Sequence, residues 1–254
     1  MSTAMPSPDR LAEWFETPLG QYLLEREHDF FDRTVADVFG FNALQLGLAE
    51  FDLLRASRIA SRWRVAPRGQ VELHSDFHDL PVAANSIDLV VMPHVLEFTH
   101  DPHQILREVV RVLVPDGQLI ISGFNPWSLW GAKRMLPSAR GKMPWCGKFV
   151  HLPRLKDWLS LLSLDITTGR MHGYLPPFSQ DRWLRRFGFM DAAGDRWWPF
   201  GGGVYFLQAV KRVRGMRLIT PKWSTRLAVT GNVVALRRVP GSQRTSNRKP
   251  THTT

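Results

Sequence analysis

With one cysteine among 254 residues, Cys146 has no partner for an internal disulfide and cannot furnish a structural zinc site. It is read as a plain buried or half-buried thiol. The nine histidines show no paired ligand spacing, so no metal centre is expected. No apolar run approaches the roughly 18 residues of a spanning helix, and no basic-then-apolar segment near Met1 marks an export signal. From the absence of address signals a soluble cytoplasmic protein is inferred. Neither G-x-x-x-x-G-K-[ST] nor G-x-S-x-G occurs, so nothing argues for a nucleotide triphosphatase or a hydrolase elbow. Acidic residues vanish from Gly201 onward, where eleven Lys or Arg meet no Asp or Glu. The other 22 basic residues face 23 acidic ones, so the net charge of +10 belongs to the tail and not the body. That tail is either a solvated extension or an arm for nucleic acid or an anionic membrane face.

An apolar content of 44% with 11% aromatics supports a substantial core. The clearest organisation lies between His74 and Gly123. Ile87, Leu89, Val90, Val91 and Met92 form an apolar run closed by Pro93, and Gln118 to Ser122 is a second run rich in β-branched residues. Both suit central parallel strands buried on two faces. Between them Asp101 is an N-cap, Pro102 the first helical residue, and Gln104 the partner of a reciprocal capping box. Ile105, Leu106, Val109, Val110 and Leu113 follow at helical spacing, and Pro115-Asp116-Gly117 turns the chain into the next strand. The pattern is strand, crossover helix, parallel strand.

Elsewhere, an aromatic stripe from Leu11 to Phe39 predicts one or two helices broken at Pro18-Leu19-Gly20, packing over the sheet or lidding a site. The 29 residues from Gly47 to Asp76 are expected to hold a helix and at least one strand. Within them, Ser57 to Ala66 alternates Arg58, Arg62 and Arg64 with apolar residues, which predicts an exposed strand or hairpin. Phe124 to Leu152 is a long loop in which Trp127 and Trp130 either meet a substrate or seal the sheet. Leu155 to Leu162 is a helix, Leu164 to Thr168 a strand, and Val204 to Val210 a last strand hairpin-paired through Gly201-Gly202-Gly203. A short helix is expected around Arg182 to Phe187, and little order past Lys211 except Arg226 to Val239.

The string Asp76-Phe77-His78-Asp79-Leu80-Pro81, then Asn85 to Val91, His94-Val95-Leu96-Glu97, Leu106-Arg107-Glu108, and Arg111 to Gly117 resembles the class I S-adenosylmethionine-dependent methyltransferases, in particular their type-11 subgroup. The resemblance implies an α/β, Rossmann-like fold with a mostly parallel central sheet, helices on both faces and a C-terminal antiparallel strand. It divides the chain into an N-terminal helical segment (1–42), an α/β domain (43–213) and a basic tail (214–254). It implies S-adenosylmethionine as cofactor and a small-molecule acceptor; nucleic acid as a further partner follows from the charge of the tail. Gly47, Asp76, Phe77, Met92, Pro93 and His94 would line the cofactor.

By the same resemblance Asp76 accepts from the adenine amino group and the Phe77 N–H faces a ring nitrogen; read from the residues alone, Asp76 caps a turn before Leu80-Pro81. His94 is a substrate-side base or hydrogen-bond partner, or simply a bonded histidine at a strand end. Two departures stand out. Ala49 and Phe51 replace two glycines of the family's turn, and no acidic residue obviously grips the ribose, leaving Glu50, Asp52 and Glu72 as unranked candidates. They motivate a rival reading: a methyltransferase-like module that has lost its cofactor and binds partners through its basic tail and aromatic loops.

Overall fold

The structure, a computed structural model, describes residues 9–177, 194, 196–198 and 200–213. The expectations for 1–8, 182–187 and 214–254 lie outside the described residues. In chain order come α1 (Asp9–Phe15), α2 (Pro18–Ala36), β1 (Asn42–Leu46), β2 (Ser61–Ala66), β3 (Leu73–His74), β4 (Ile87–Pro93), α3 (Pro102–Val112), β5 (Leu113–Phe124), α4 (Leu129–Arg134), α5 (Leu152–Leu161), β6 (Leu164–His172) and β7 (Val204–Lys211). One 7-stranded sheet runs in the order β3-β2-β1-β4-β5-β7-β6. β1 to β5 are parallel, and β7 runs antiparallel to both β5 and β6.

β4 shows why the sheet needs cover on two sides. Leu89 and Val91 enter a core with α1 and α2, whereas Val90 and Met92 enter the opposite core with α3 and α5. Every side chain of the strand but Asp88 is buried, as its apolar residues from Leu89 to Pro93 require. Asp88 accepts from the backbone N–H groups of Phe41 and Asn42 at 2.8 and 2.9 Å and so fixes the entry into β1.

α2 starts at Pro18, and the Thr17 hydroxyl accepts from Gly20 N at 3.2 Å. Gly20 is needed there because a Cβ would collide with the backbone of Trp14 and Phe15 where α1 folds back. The two helices share one core with the sheet and do not stand apart as a separate segment.

α3 begins as the sequence implies, with Asp101 accepting from Gln104 N at 3.0 Å. The reciprocal half of the capping box is absent: Gln104 Nε2 donates instead to His78 O at 3.3 Å. At the other end Lys211 Nζ donates to Val110 O and Leu113 O at 2.7 and 2.6 Å, a cation on the helix's last carbonyls. Arg111 pairs with Glu108 at 2.8 Å and donates to Leu80 O and Val82 O, clamping the loop after β3 onto α3. The turn at Pro115-Asp116-Gly117 lies within β5, as an irregularity between the pairs Ile87–Leu113 and Leu89–Gln118, with Asp116 at φ 61.

Three further expectations are corrected. No helix lies between Gly47 and Asp76; the chain makes turns from Leu48 to Ala60 and then two strands. Gln45 explains how so short a crossover holds its shape. Its buried Nε2 donates to the carbonyls of Gly47, Leu48 and Phe51 at 3.2, 3.0 and 2.8 Å, while its Oε1 accepts from Leu53 N at 3.0 Å. β2, expected as an exposed strand or hairpin, is an interior strand paired with β1 and β3. It is exposed at Arg62 and Trp63 because no helix covers it, and Arg62 and Arg64 reach over the crossover to donate to Leu54 O and Ala49 O, both at 3.0 Å. β7 does follow Gly201–Gly203, but its partner β6 lies across residues 173–203 and not across a tight hairpin.

Candidate active site

The strand order reverses between β1 and β4, where parallel α/β sheets leave a crevice at the carboxyl ends of their strands. A cavity of about 190 Å³ sits there. Gly47 from the end of β1, Pro93 and His94 from the end of β4, and Asp76, Phe77 and His78 from the loop after β3 line it. Gly47 has φ 78, and a Cβ on it would approach Val95 Cγ2 to 3.0 Å, so a side chain is excluded by both conformation and space.

Of the six residues named for cofactor contact, five line this cavity and one does not. Met92 is fully buried in the core beneath α3, because strand side chains alternate and its neighbours Val91 and Pro93 take the other side. None of Glu50, Asp52 and Glu72 reaches the cavity either. Glu72 is held by Arg64 at 2.7 Å, and that hydrogen-bonded guanidinium takes its carboxyl down to about 2. Asp52 accepts from Leu54 N at 3.0 Å. Pro67, just past the end of β2, lines the cavity where an acidic residue was sought. Phe51 and Ala49 do not line it; Phe51 packs edge-on against Phe15 at 5.7 Å, drawn aside by its carbonyl's bond to Gln45.

Asp76 faces the cavity and also builds its own turn. Its Oδ1 accepts from His78 N at 3.0 Å and meets His78 Nδ1 at 2.6 Å. The backbone N–H of His78, then its ring, hold the Asp76 carboxyl below its usual value. His78 Nε2 lies 3.0 Å from Thr99 Oγ1, so with its proton on Nδ1 the ring donates to Asp76 and accepts from Thr99. The three side chains tie the loop after β3 to the segment after β4, across the cavity's outer wall. His78 and Thr99 carry no signal as separate residues; only folding brings them together.

The inner wall is His94, at φ 51, a left-handed conformation that histidine adopts more readily than most residues. Its ring is sealed between Phe124 at 4.1 Å and Phe15 at 6.0 Å. Nε2 lies 2.5 Å from Glu27 Oε1 and Nδ1 lies 3.4 Å from Glu97 Oε1, with all three side chains fully buried. Burial opposes charge on the ring, but the two carboxylates outweigh it and raise His94 to about 9. Glu97 Oε1 also accepts from Phe124 N at 2.6 Å. Of the two alternatives for His94, the geometry favours the bonded histidine at a strand end: Nε2 is held by Glu27, which ties α2 to the end of β4, while Nδ1 faces Glu97 without a hydrogen bond. Glu27 was missed in the sequence, although it stands four residues from both Leu23 and Phe31 on α2's buried stripe.

Residues 42–121, β1 through most of β5, match the family model described as a methyltransferase domain. A stretch of 165 residues is 32% identical to YafS, an uncharacterized protein of Escherichia coli (strain K12), over 64% of this chain and 69% of that one. The chain belongs to the class I S-adenosylmethionine-dependent methyltransferases, type-11 group. It is also 35% identical over 105 residues to the demethylmenaquinone methyltransferase of Chlamydia pneumoniae, spanning 39% of this chain and 44% of that relative's length. Among solved structures, the Haloferax volcanii protein crystallised with the methyltransferase activator Trm112 superposes with a TM-score of 0.55 at 16% identity, over 80% of this chain and 98% of that one. That likeness concerns the fold.

The family's cofactor is S-adenosylmethionine. The lining is compatible with it: a carboxylate, Asp76, stands among the apolar Phe77, Val95 and Phe98, and Gly47 contributes backbone without a side chain. With about 190 Å³ against the 300–1,000 Å³ usual for ligand pockets, only part of the cofactor would be enclosed.

Proposed function

We propose that the protein transfers the methyl group of S-adenosylmethionine to a small-molecule acceptor. The cavity at the β1–β4 reversal, lined by both Asp76 and Gly47, is the observation that carries this reading. When bound, the cofactor supplies an electrophilic methyl on a sulfonium, and its leaving thioether is neutral. The chain is accordingly asked for positioning and exclusion of water more than for acid–base work.

Asp76 accepts from the adenine amino group, and the Phe77 N–H stands beside it for a ring nitrogen. Gly47 admits the backbone close to the cofactor's far end. Pro93 and His94 form the wall behind it, held rigid by Glu27 and Glu97. Leu11 of α1 closes the cavity from above and limits water. A small acceptor is supported by the relative named for methylating demethylmenaquinone. The rival reading loses part of its motive, because Ala49 and Phe51 stand away from the cavity. The nine positive charges of residues 214–254 offer a separate, salt-sensitive contact to nucleic acid.

The test is release of S-adenosylhomocysteine from labelled cofactor, screened over hydroxylated quinones, phenols and small amines. Turnover on one class that falls with Asp76→Ala supports the reading. Cofactor binding without turnover on any class counts against it.

A further inference from the structure

A second cavity, of about 260 Å³, opens between the first turns of α3 and α5. Lys148, Arg154, His100, His103 and His151 line it, and no lining residue is Asp or Glu. None of these five side chains forms a hydrogen bond or salt bridge among the described residues. Elsewhere Arg55, Arg64, Arg111 and Arg212 each hold a carboxylate. A concave cluster of basic side chains without a counter-ion repels itself and is relieved by an anion.

All five basic side chains are exposed, and packing places two of them. The His103 ring packs on Trp158 at 4.1 Å, and the Arg154 guanidinium lies 5.2 Å from the same ring. Phe149 and Trp158, both buried, give the cavity an aromatic wall. α5 has His151 at its N-cap with no capping side-chain bond, so its first-turn N–H donors add to the positive end. Lys148 N donates to Glu97 O at 2.8 Å, pinning this wall to the segment after β4. Thr99 lines both this cavity and the cofactor cavity.

We infer that this cavity binds the phosphate or carboxylate of a small aromatic ligand and serves as the subsite for the charged end of the methyl acceptor. The oxyanion meets Lys148, Arg154 and the histidines, while the ring lies against Phe149 and Trp158. The acceptor role rests on the reading of the neighbouring cavity as the cofactor site. Oxyanion binding does not.

Phenyl phosphate is the probe, titrated by calorimetry into the full chain, into a Lys148→Ala, Arg154→Ala double variant, and into Lys156→Ala, an exposed control on α5 outside the cavity. Saturable binding that the double variant loses by tenfold or more, with the control unchanged, is expected. Phenyl phosphate should also bind more tightly than inorganic phosphate, while benzoate distinguishes a carboxylate from a phosphate site. S-adenosylmethionine affinity, measured on the same samples, should be equal in all three proteins. Its absence alongside intact phenyl phosphate binding would count against the proposed function and leave the anion site standing. No saturable binding at about 10 mM, far above a Kd of ~1 mM, or equal binding by the double variant, overturns the site. Binding of random RNA without phenyl phosphate does the same. The acceptor role requires phenyl phosphate and S-adenosylhomocysteine to bind together, and mutual exclusion overturns it.

Discussion

His94 Nε2 lies 2.5 Å from Glu27 Oε1, and neither side chain has any exposed surface. A helix near the start of the chain is thus bonded, at its buried centre, to the residue just past the end of β4 that walls the cavity. The pH dependence of this tie has a definite sign. His94 is raised from 6.5 to about 9 in the folded protein, so its contribution is complete below pH 6.5 and is lost as pH rises through 9. Stability measured by urea unfolding should fall by a few kcal/mol between pH 6.5 and 9.5, since each tenfold gain in proton affinity on folding is worth about 1.4 kcal/mol. Glu27→Gln should destabilise by about 3 kcal/mol at pH 7 and flatten that slope. A slope of opposite sign in the wild type would show that His94 is buried neutral.

Gln45 should prove essential to the short crossover after β1. Gln45→Leu keeps the volume but takes the partner from Leu53 N and from the carbonyls of Gly47 and Phe51, while Leu48 O keeps its bond from Phe51 N at 3.0 Å. At roughly 1–3 kcal/mol for each unsatisfied group, partly relieved by water, a loss of about 3 kcal/mol is expected from denaturant midpoints. A loss under about 0.5 kcal/mol would mean that the turns hold their shape without it.

Gly47→Ala meets two obstacles, a φ of 78 and Val95 Cγ2 at 3.0 Å. The left-handed conformation alone costs about 1–2 kcal/mol for a side-chain-bearing residue. Cofactor affinity should fall by about tenfold, because the new methyl projects toward the cavity wall. Unchanged affinity with lowered stability would move the cofactor away from Gly47.

Much of this was legible in the sequence, and the remainder was not for physical reasons. The apolar runs of β4 and β5 announce strands covered on both faces, and Asp101-Pro102 announces α3, because burial and capping act within a few residues. Asp76, Phe77 and Pro93 could be placed by motif. Met92 could not be separated from them without knowing the parity of the strand, which sends it to the opposite face. Where a helix was expected after Gly47, Gln45 satisfies the carbonyls of Gly47, Leu48 and Phe51 through bonds spanning 2, 3 and 6 residues, which a lone Gln in a strand does not announce. Glu27 was detectable in principle as a carboxylate in the register of Leu19, Leu23 and Phe31, but its partner His94 lies 67 residues away.

The most direct measurement is a calorimetric titration of S-adenosylmethionine and S-adenosylhomocysteine into the wild type and Asp76→Ala. Both ligands should bind the wild type with one-to-one stoichiometry. The variant should bind each about tenfold more weakly, the worth of one hydrogen bond to a charged acceptor. Binding of neither ligand to the wild type, or equal affinity in the variant, would contradict the assignment of the cavity between Gly47, Asp76 and His94 as the cofactor site.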